Sequence, residues 1–218
     1  ASLLIYAFKG FSGLSPFHAL LAIAVGMAAI PAILLYFKAL QVDEVSRIIP
    51  ILYVSPLFIM IIAAFFLGEV FTYEKYLGIF LLVAGAVLVS VKNLKKFRLG
   101  KGFKLILAST LIGAVLSVIT KYLLNFADFW TIFSYGRIGM LLAVIPFFFT
   151  NLKDLAYTLK KHGAKAAAAI SAASLLGMLG GFLMAIALQL GFVTLATAVG
   201  SVQPLFVLFF TVMLSRLY

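Results

Sequence analysis

The sequence predicts an all-α polytopic membrane protein, a bundle of spanning helices organised as an inverted repeat. Three observations carry that expectation: bulk hydropathy, seven apolar segments of spanning length, and a pattern that recurs 148 residues later. Of the 218 residues, 65% are hydrophobic and 11% charged, 22 Phe stand against 6 acids, and mean hydropathy is +1.23. Soluble domains carry roughly 45–50% apolar and about 25% charged residues. A water-soluble globule of this size leaves about a quarter to a third of its chain surface wet, so it could not hide this much apolar surface. Soluble enzyme, disordered tail and disulfide scaffold are excluded, and the lipid bilayer is the first partner implied.

A spanning helix needs about 20 mostly apolar residues to cross roughly 30 Å of hydrocarbon. Taken in chain order, the spans are expected near His18–Leu40, Glu44–Leu67, Glu74–Val91, Gly102–Leu124, Phe129–Thr150, Ala166–Leu190 and Phe192–Leu217. Ala166–Ser215 holds no Asp, Glu, Lys or Arg, is too long for one span, and turns at Gln189-Leu190-Gly191. Ala1–Phe8 reads as the tail of a further, partial helix. Barrel strands are excluded, because they would alternate in runs of about 10 residues. Two connections stand out. Val91–Lys104 carries six basic residues and reads as a basic linker between halves; Asn151–Lys165 places Leu152, Leu155 and Leu159 on one side of an amphipathic surface turn.

The repeat gives the spans a geometry. Ala39-Leu40-Gln41, Val45 and Val54-Ser55-Pro56-Leu57-Phe58 return as Ala187-Leu188-Gln189, Val193 and Val202-Gln203-Pro204-Leu205-Phe206, with eight identities in 29 ungapped pairs. Five spans separate the copies, an odd number, so they cross the membrane in opposite directions. Inverted repeats suit carriers, since two similar halves can exchange inward-open and outward-open shapes around one midplane site.

These motifs also resemble a known family. Ala39-Leu40-Gln41, Ser55-Pro56, Leu67-Gly68-Glu69, the Gly78…Gly85 helix, Arg137 opening R-I-G-M-L-L-A and the second A-L-Q…P-L-F are similar in order and spacing to EamA-type carriers of the drug/metabolite transporter superfamily. The resemblance implies five plus five helices, of which seven whole spans and one partial are present here. It implies a first repeat over 1–91, a basic linker over 92–101 and a second repeat over 102–218. It further implies that the first helix, most of the second and the tenth are missing from a protein of roughly 290 residues, counting about 20 per restored span.

Carriers need polar groups on an interior passage, because the same groups facing lipid are costly. Thr194, Thr197, Ser201 and Pro204 share one helical face, with Gln203 beside it, and their repeat partners are Ser46, Ile49, Tyr53 and Pro56 with Ser55 beside them. Thr110, Gly113, Ser117, Thr120 and Lys121 form a third stripe. Tyr53, Ser55, Thr110, Ser117, Thr194, Thr197, Ser201 and Gln203 are therefore the candidate substrate residues; the competing reading has each hydroxyl bonding its own helix. Pro56 and Pro204 lie inside spans, where a kink serves either a rocking motion or architecture alone. Gly177, Gly181 and Ala185 make a small-residue packing ridge. Arg137, about eight residues inside its span, completes the substrate set, and it draws a substrate carboxylate, pairs with an acid or snorkels. Trp130 and Tyr135 read as interface aromatics.

All six acids, Asp43, Glu44, Glu69, Glu74, Asp128 and Asp154, fall at span ends or in loops. Glu69 is the best coupling acid among them, although its place at a helix end favours a structural role. No Cys and only His18 and His162 are present, which leaves no metal site and no cofactor. The net charge of +11 flanks spans rather than forming a nucleic-acid surface. Twelve basic residues on one side place the 92–104 loop in the cytoplasm by the positive-inside rule; the layout implied by the family places it outside.

The expected function is a secondary carrier of a metabolite, amino acid or drug, multi-pass in the inner or plasma membrane, taking a small-molecule substrate. Its oligomeric state, homodimer included, stays open. The alternatives are an intramembrane enzyme acting on lipid and a non-transporting scaffold subunit. The enzyme would need a metal-spaced or nucleophile–base constellation that the sequence does not show. No phosphate-binding loop is present, so ATP-driven pumping would require another subunit.

Overall fold

A computed structural model describes residues 13–90 and 100–215, without the side chains of 153–156, 158, 159, 162, 164–166 and 214. The partial helix expected over Ala1–Phe8, most of the basic linker, and the side chains of Leu155 and Leu159 in the amphipathic segment lie outside the described residues. Among those described, the secondary structure is helical throughout: α1 Pro16–Val42, α2 Val45–Leu52, α3 Ser55–Leu67, α4 Tyr73–Ser90, α5 Phe103–Leu123, α6 Phe129–Thr150, α7 Leu152–Leu190, α8 Val193–Gly200 and α9 Gln203–Ser215. Seven stretches are long and apolar enough to cross a membrane: Pro16–Val42, Val45–Leu67, Tyr73–Ser90, Phe103–Leu123, Phe129–Thr150, Ala167–Leu190 and Val193–Met213. They coincide with the seven expected spans to within a few residues. The protein is a polytopic membrane helix bundle.

Two of the spans are broken. The second is α2 plus α3 and the seventh is α8 plus α9, interrupted at Tyr53–Val54 and Ser201–Val202. Adding 148 to each boundary of α2 and α3 returns the boundaries of α8 and α9. The flanking backbone repeats as well. Glu44 and Phe192 precede the first halves with φ,ψ of −70°,139° and −69°,137°, while Tyr53 and Ser201 follow them at −72°,−7° and −68°,−5°. At each break the hydrogen bonds tighten to i→i−3: Val54 N–H donates to Ile51 and Leu57 N–H to Val54, as Val202 does to Val199 and Leu205 to Val202. Pro56 and Pro204 thus sit second in α3 and α9 rather than inside continuous helices. A first-turn N–H has no intrahelical acceptor, so a residue without one is tolerated there.

Two compact units divide the chain, Ala1–Ile30 with Leu123–Leu190 and Pro31–Tyr122 with Gly191–Tyr218. Each draws on both sequence copies or flanks, so packing units and sequence repeats are different divisions. In the first, the N-terminal part of α1 meets α6 at backbone contact. A Cβ on Gly26 would collide with the Gly136 carbonyl, and one on Gly139 with the Ile23 carbonyl. Glycines therefore let these helices approach where any larger side chain would hold them apart. His18 stacks on Phe126 with ring centroids 4.0 Å apart, and α6 packs along α7. Within α7, Gly163 at φ 71°, ψ −177° interrupts the helical backbone, separating residues 152–162 from the span.

In the second unit α4 packs against α2, α3, α8 and α9, and α3 packs against α8. One apolar centre joins Ala39, Ile48 and Ile106; the other joins Phe71, Ile79 and Ala198. Ser109 Oγ donates to the Ala32 carbonyl at 2.8 Å, a buried bond between α5 and α1. Such interhelical bonds contribute about 0.6–2 kcal/mol in membrane proteins.

Candidate functional site

Within the second unit, one buried carboxylate, Glu69, meets the N-terminus of α8. Gly68 ends α3 in the left-handed region at φ 67°, ψ 23°, a conformation open to glycine at low cost. The N–H groups of Gly68 and Glu69 both reach the Ala63 carbonyl, and the chain turns Glu69 inward until it is 3% exposed. Its carboxylate accepts from Val193 N–H at 2.7 Å, Thr194 N–H at 3.2 Å and Thr194 Oγ1 at 2.7 Å. The residue preceding α8 is Phe192, which has no side-chain acceptor, so Glu69 supplies the cap from 124 residues away in sequence. A buried carboxylate is tolerated here because three donors and the positive end of α8 compensate for its lost hydration. Phe71 closes the site from the side, edge-on to Phe192 with centroids 5.2 Å apart. Tyr76 accepts from Phe71 N–H through its hydroxyl at 3.4 Å.

A second carboxylate, Asp43, plays a comparable part after α1. Its side chain is 5% exposed and accepts from Gly102 N–H at 3.3 Å, Glu44 N–H at 2.9 Å and Arg47 Nη1 at 3.3 Å. A Cβ on Gly100 would strike this carboxylate. Sequence reasoning places Asp43 at a span end and no further; the Gly100 and Gly102 pair ahead of a helix is the signal that points to its role.

The expected substrate residues fall into distinct settings. Thr194, buried, spends its hydroxyl on Glu69. Thr197 Oγ1 donates to the Val193 and Thr194 carbonyls, and Ser201 Oγ to the Thr197 carbonyl at 3.4 Å. Thr110 and Ser117 bond back to Ile106 and Gly113 at 2.7 and 2.9 Å. These hydroxyls thus commit their protons to their own helices and keep their lone pairs as acceptors. Tyr53 lies in the first break and Ser55 opens α3, both half-buried, while Gln203 opens α9 and is exposed. Tyr53 and Ser201 occupy equivalent breaks, each just after the first half of a broken span. Pro56 and Pro204 are buried beside them.

Arg137 belongs to the other unit. It sits half-buried on α6 with its guanidinium carbon 4.6 Å from the Phe133 ring centroid and Nη1 3.3 Å from Met140 Sδ. Gly181 of α7 faces it closely enough that a Cβ there would touch Nη2. Trp130 packs on Phe182 of α7, and Asp128 caps α6 by accepting from Thr131 N–H at 3.3 Å.

A bundle of spanning helices, two of them broken at positions one repeat apart, defines a polytopic membrane protein. Residues 1–91 match the model of the EamA-like transporter family. The match takes in α1 to α4, including the first broken span and Glu69. No curated protein matches the sequence.

Proposed function

We propose that the protein is a secondary carrier that moves a small metabolite, amino acid or drug across the cell membrane by alternating access. The observation that supports this reading most is the pair of broken helices, α2–α3 and α8–α9, with matching boundaries and flanking dihedrals 148 residues apart. Broken helices in corresponding positions of two inverted halves mark the substrate region of many carriers, because the break frees backbone groups where a passage can use them. Tyr53, Ser55, Ser201 and Gln203 lie at these two breaks, Thr197 lies one turn before the second, and Thr110 and Ser117 add a stripe on α5. Arg137, on α6 of the other unit, is a separate candidate.

The reading is tested by solute uptake into proteoliposomes holding the full chain, screened against amino acids and small metabolites. A triple variant, Tyr53→Phe, Thr197→Val and Ser201→Ala, removes hydroxyls that make no hydrogen bond to another helix among the described residues and keeps the bulk of the two larger side chains. Uptake of the substrate found is expected to fall at least tenfold, corresponding to about 1.4 kcal/mol. Undiminished uptake by that variant overturns the proposed passage, and uptake no faster than in empty vesicles for every solute overturns the carrier.

A further inference from the structure

The strongest unassigned feature is the environment of Arg137. Helix α6 begins at Phe129, so Arg137 lies eight residues, or about 12 Å, inside the span. That is more than two turns from the helix end, whereas snorkelling serves arginines near span ends. A guanidinium carries five N–H donors. Here its described contacts are one aromatic face and one thioether sulfur, with no carboxylate among the described residues. Asp128, the nearest acid in sequence, caps the first turn of its own helix. Neither contact neutralises the charge.

The surroundings of the guanidinium are shaped rather than random. Gly181 faces Nη2, and a Cβ there would stand at van der Waals contact with it. From Phe133 a run of rings leads toward the start of α6: Phe133 to Phe182 at 5.9 Å, Phe182 to Trp130 at 5.2 Å, and Phe129 against Phe182 at 4.9 Å, in edge-on or tilted pairs. Side chains of a helix lean toward its N-terminus, which turns the guanidinium toward these rings. A cation ending a run of aromatic faces suits a ligand with an oxyanion at one end and a flat apolar body at the other.

We infer that Arg137 and the Phe133–Phe182–Trp130 run form a binding site for an organic carboxylate with an aromatic body. The inference rests on the carrier reading and names the substrate class for it. A lipid phosphate offers the same oxyanion chemistry, but the depth of Arg137 in the span favours a solute.

Trp130 is the only tryptophan of the chain and belongs to the ring run, so its fluorescence reports occupancy. The probe is 4-nitrophenylacetate, a quenching aromatic carboxylate, compared with the neutral 4-nitrophenylacetamide, on full-length protein in maltoside micelles. The carboxylate is expected to bind about tenfold to a hundredfold more tightly, the range of charge-assisted hydrogen bonds. Arg137→Gln removes that preference, while Arg137→Lys keeps part of it. Equal binding of acid and amide by the unaltered protein overturns the site without recourse to any variant, as does a preference that survives Arg137→Gln. The comparison is repeated in phosphatidylcholine vesicles with and without phosphatidylglycerol. A preference held in both supports the solute site; one abolished by phosphatidylglycerol assigns the arginine to lipid and overturns it. Carboxylate-selective quenching without any flux would sink the carrier and leave the site, whereas flux without selectivity would sink the site and leave the carrier.

Discussion

Glu69 shows how much one side chain can hold in a chain with few charges. Three donors converge on its carboxylate, two of them backbone N–H groups that α8 cannot satisfy internally. Glu69→Ala leaves these donors buried and unpaired and is expected to destabilise the protein by about 2–3 kcal/mol. Thr194→Val removes a single donor and should cost about 1 kcal/mol. Denaturant unfolding in mixed micelles measures both, and a double variant no worse than Glu69→Ala alone shows that Thr194 acts through Glu69. Equal stability of Glu69→Ala and the unaltered protein would refute the cap. The sequence marks Glu69 by its place in Leu67-Gly68-Glu69 and by the rarity of acids, and a structural role at a helix end is what the geometry shows. Its partner is not legible in the sequence, because a contact across 124 residues leaves no local periodicity. The hydroxyl stripes are legible as stripes only. Whether a serine bonds its own helix or a solute depends on rotamer and neighbours, which spacing does not encode.

At the scale of helices, hydropathy alone locates all seven spans, since each is a mostly apolar stretch of spanning length with few charges. The breaks are less visible. Pro56 and Pro204 suggest kinks within spans, yet the first halves end four residues earlier, at Leu52 and Gly200, and the second halves start with proline in the first turn. The proline ring clashes with a carbonyl four residues back, so the interruption falls upstream of the residue that causes it. Helix approach is likewise hidden. Gly26 and Gly113 look alike in sequence, but a methyl on Gly26 meets the Gly136 backbone and one on Gly113 meets open space. Gly26→Ala should therefore force α1 from α6 and cost about 1–3 kcal/mol. Gly113→Ala, inside α5, should be neutral or stabilising by up to about 1 kcal/mol through helix propensity. Thermal unfolding followed by circular dichroism separates the two, and similar shifts for both would contradict the close approach.

At the scale of the whole molecule, the repeat is the organising fact, and the sequence shows it through eight identities that apolar composition alone could mimic. Over the same stretches, helix limits, flanking dihedrals and the tightened turns recur together. The two copies are not equivalent in their capping. The N-terminus of α8 receives the Glu69 carboxylate, whereas Glu44 before α2 makes no side-chain cap bond. Residue 217, which stands one repeat after Glu69, is leucine. In the proposed carrier the two halves exchange roles. That exchange requires the copies to cross the membrane in opposite directions, which follows from the five span-to-span steps between the second span and the seventh. The chain has no cysteine, so single cysteines can be placed without a background. Glu44→Cys and Phe192→Cys, at equivalent exposed positions before α2 and α8, are labelled with a membrane-impermeant maleimide from one side of sealed, oriented vesicles. One position reacting from outside and the other only after the vesicles are opened is the result the inverted repeat predicts; labelling of both from the same side would contradict it.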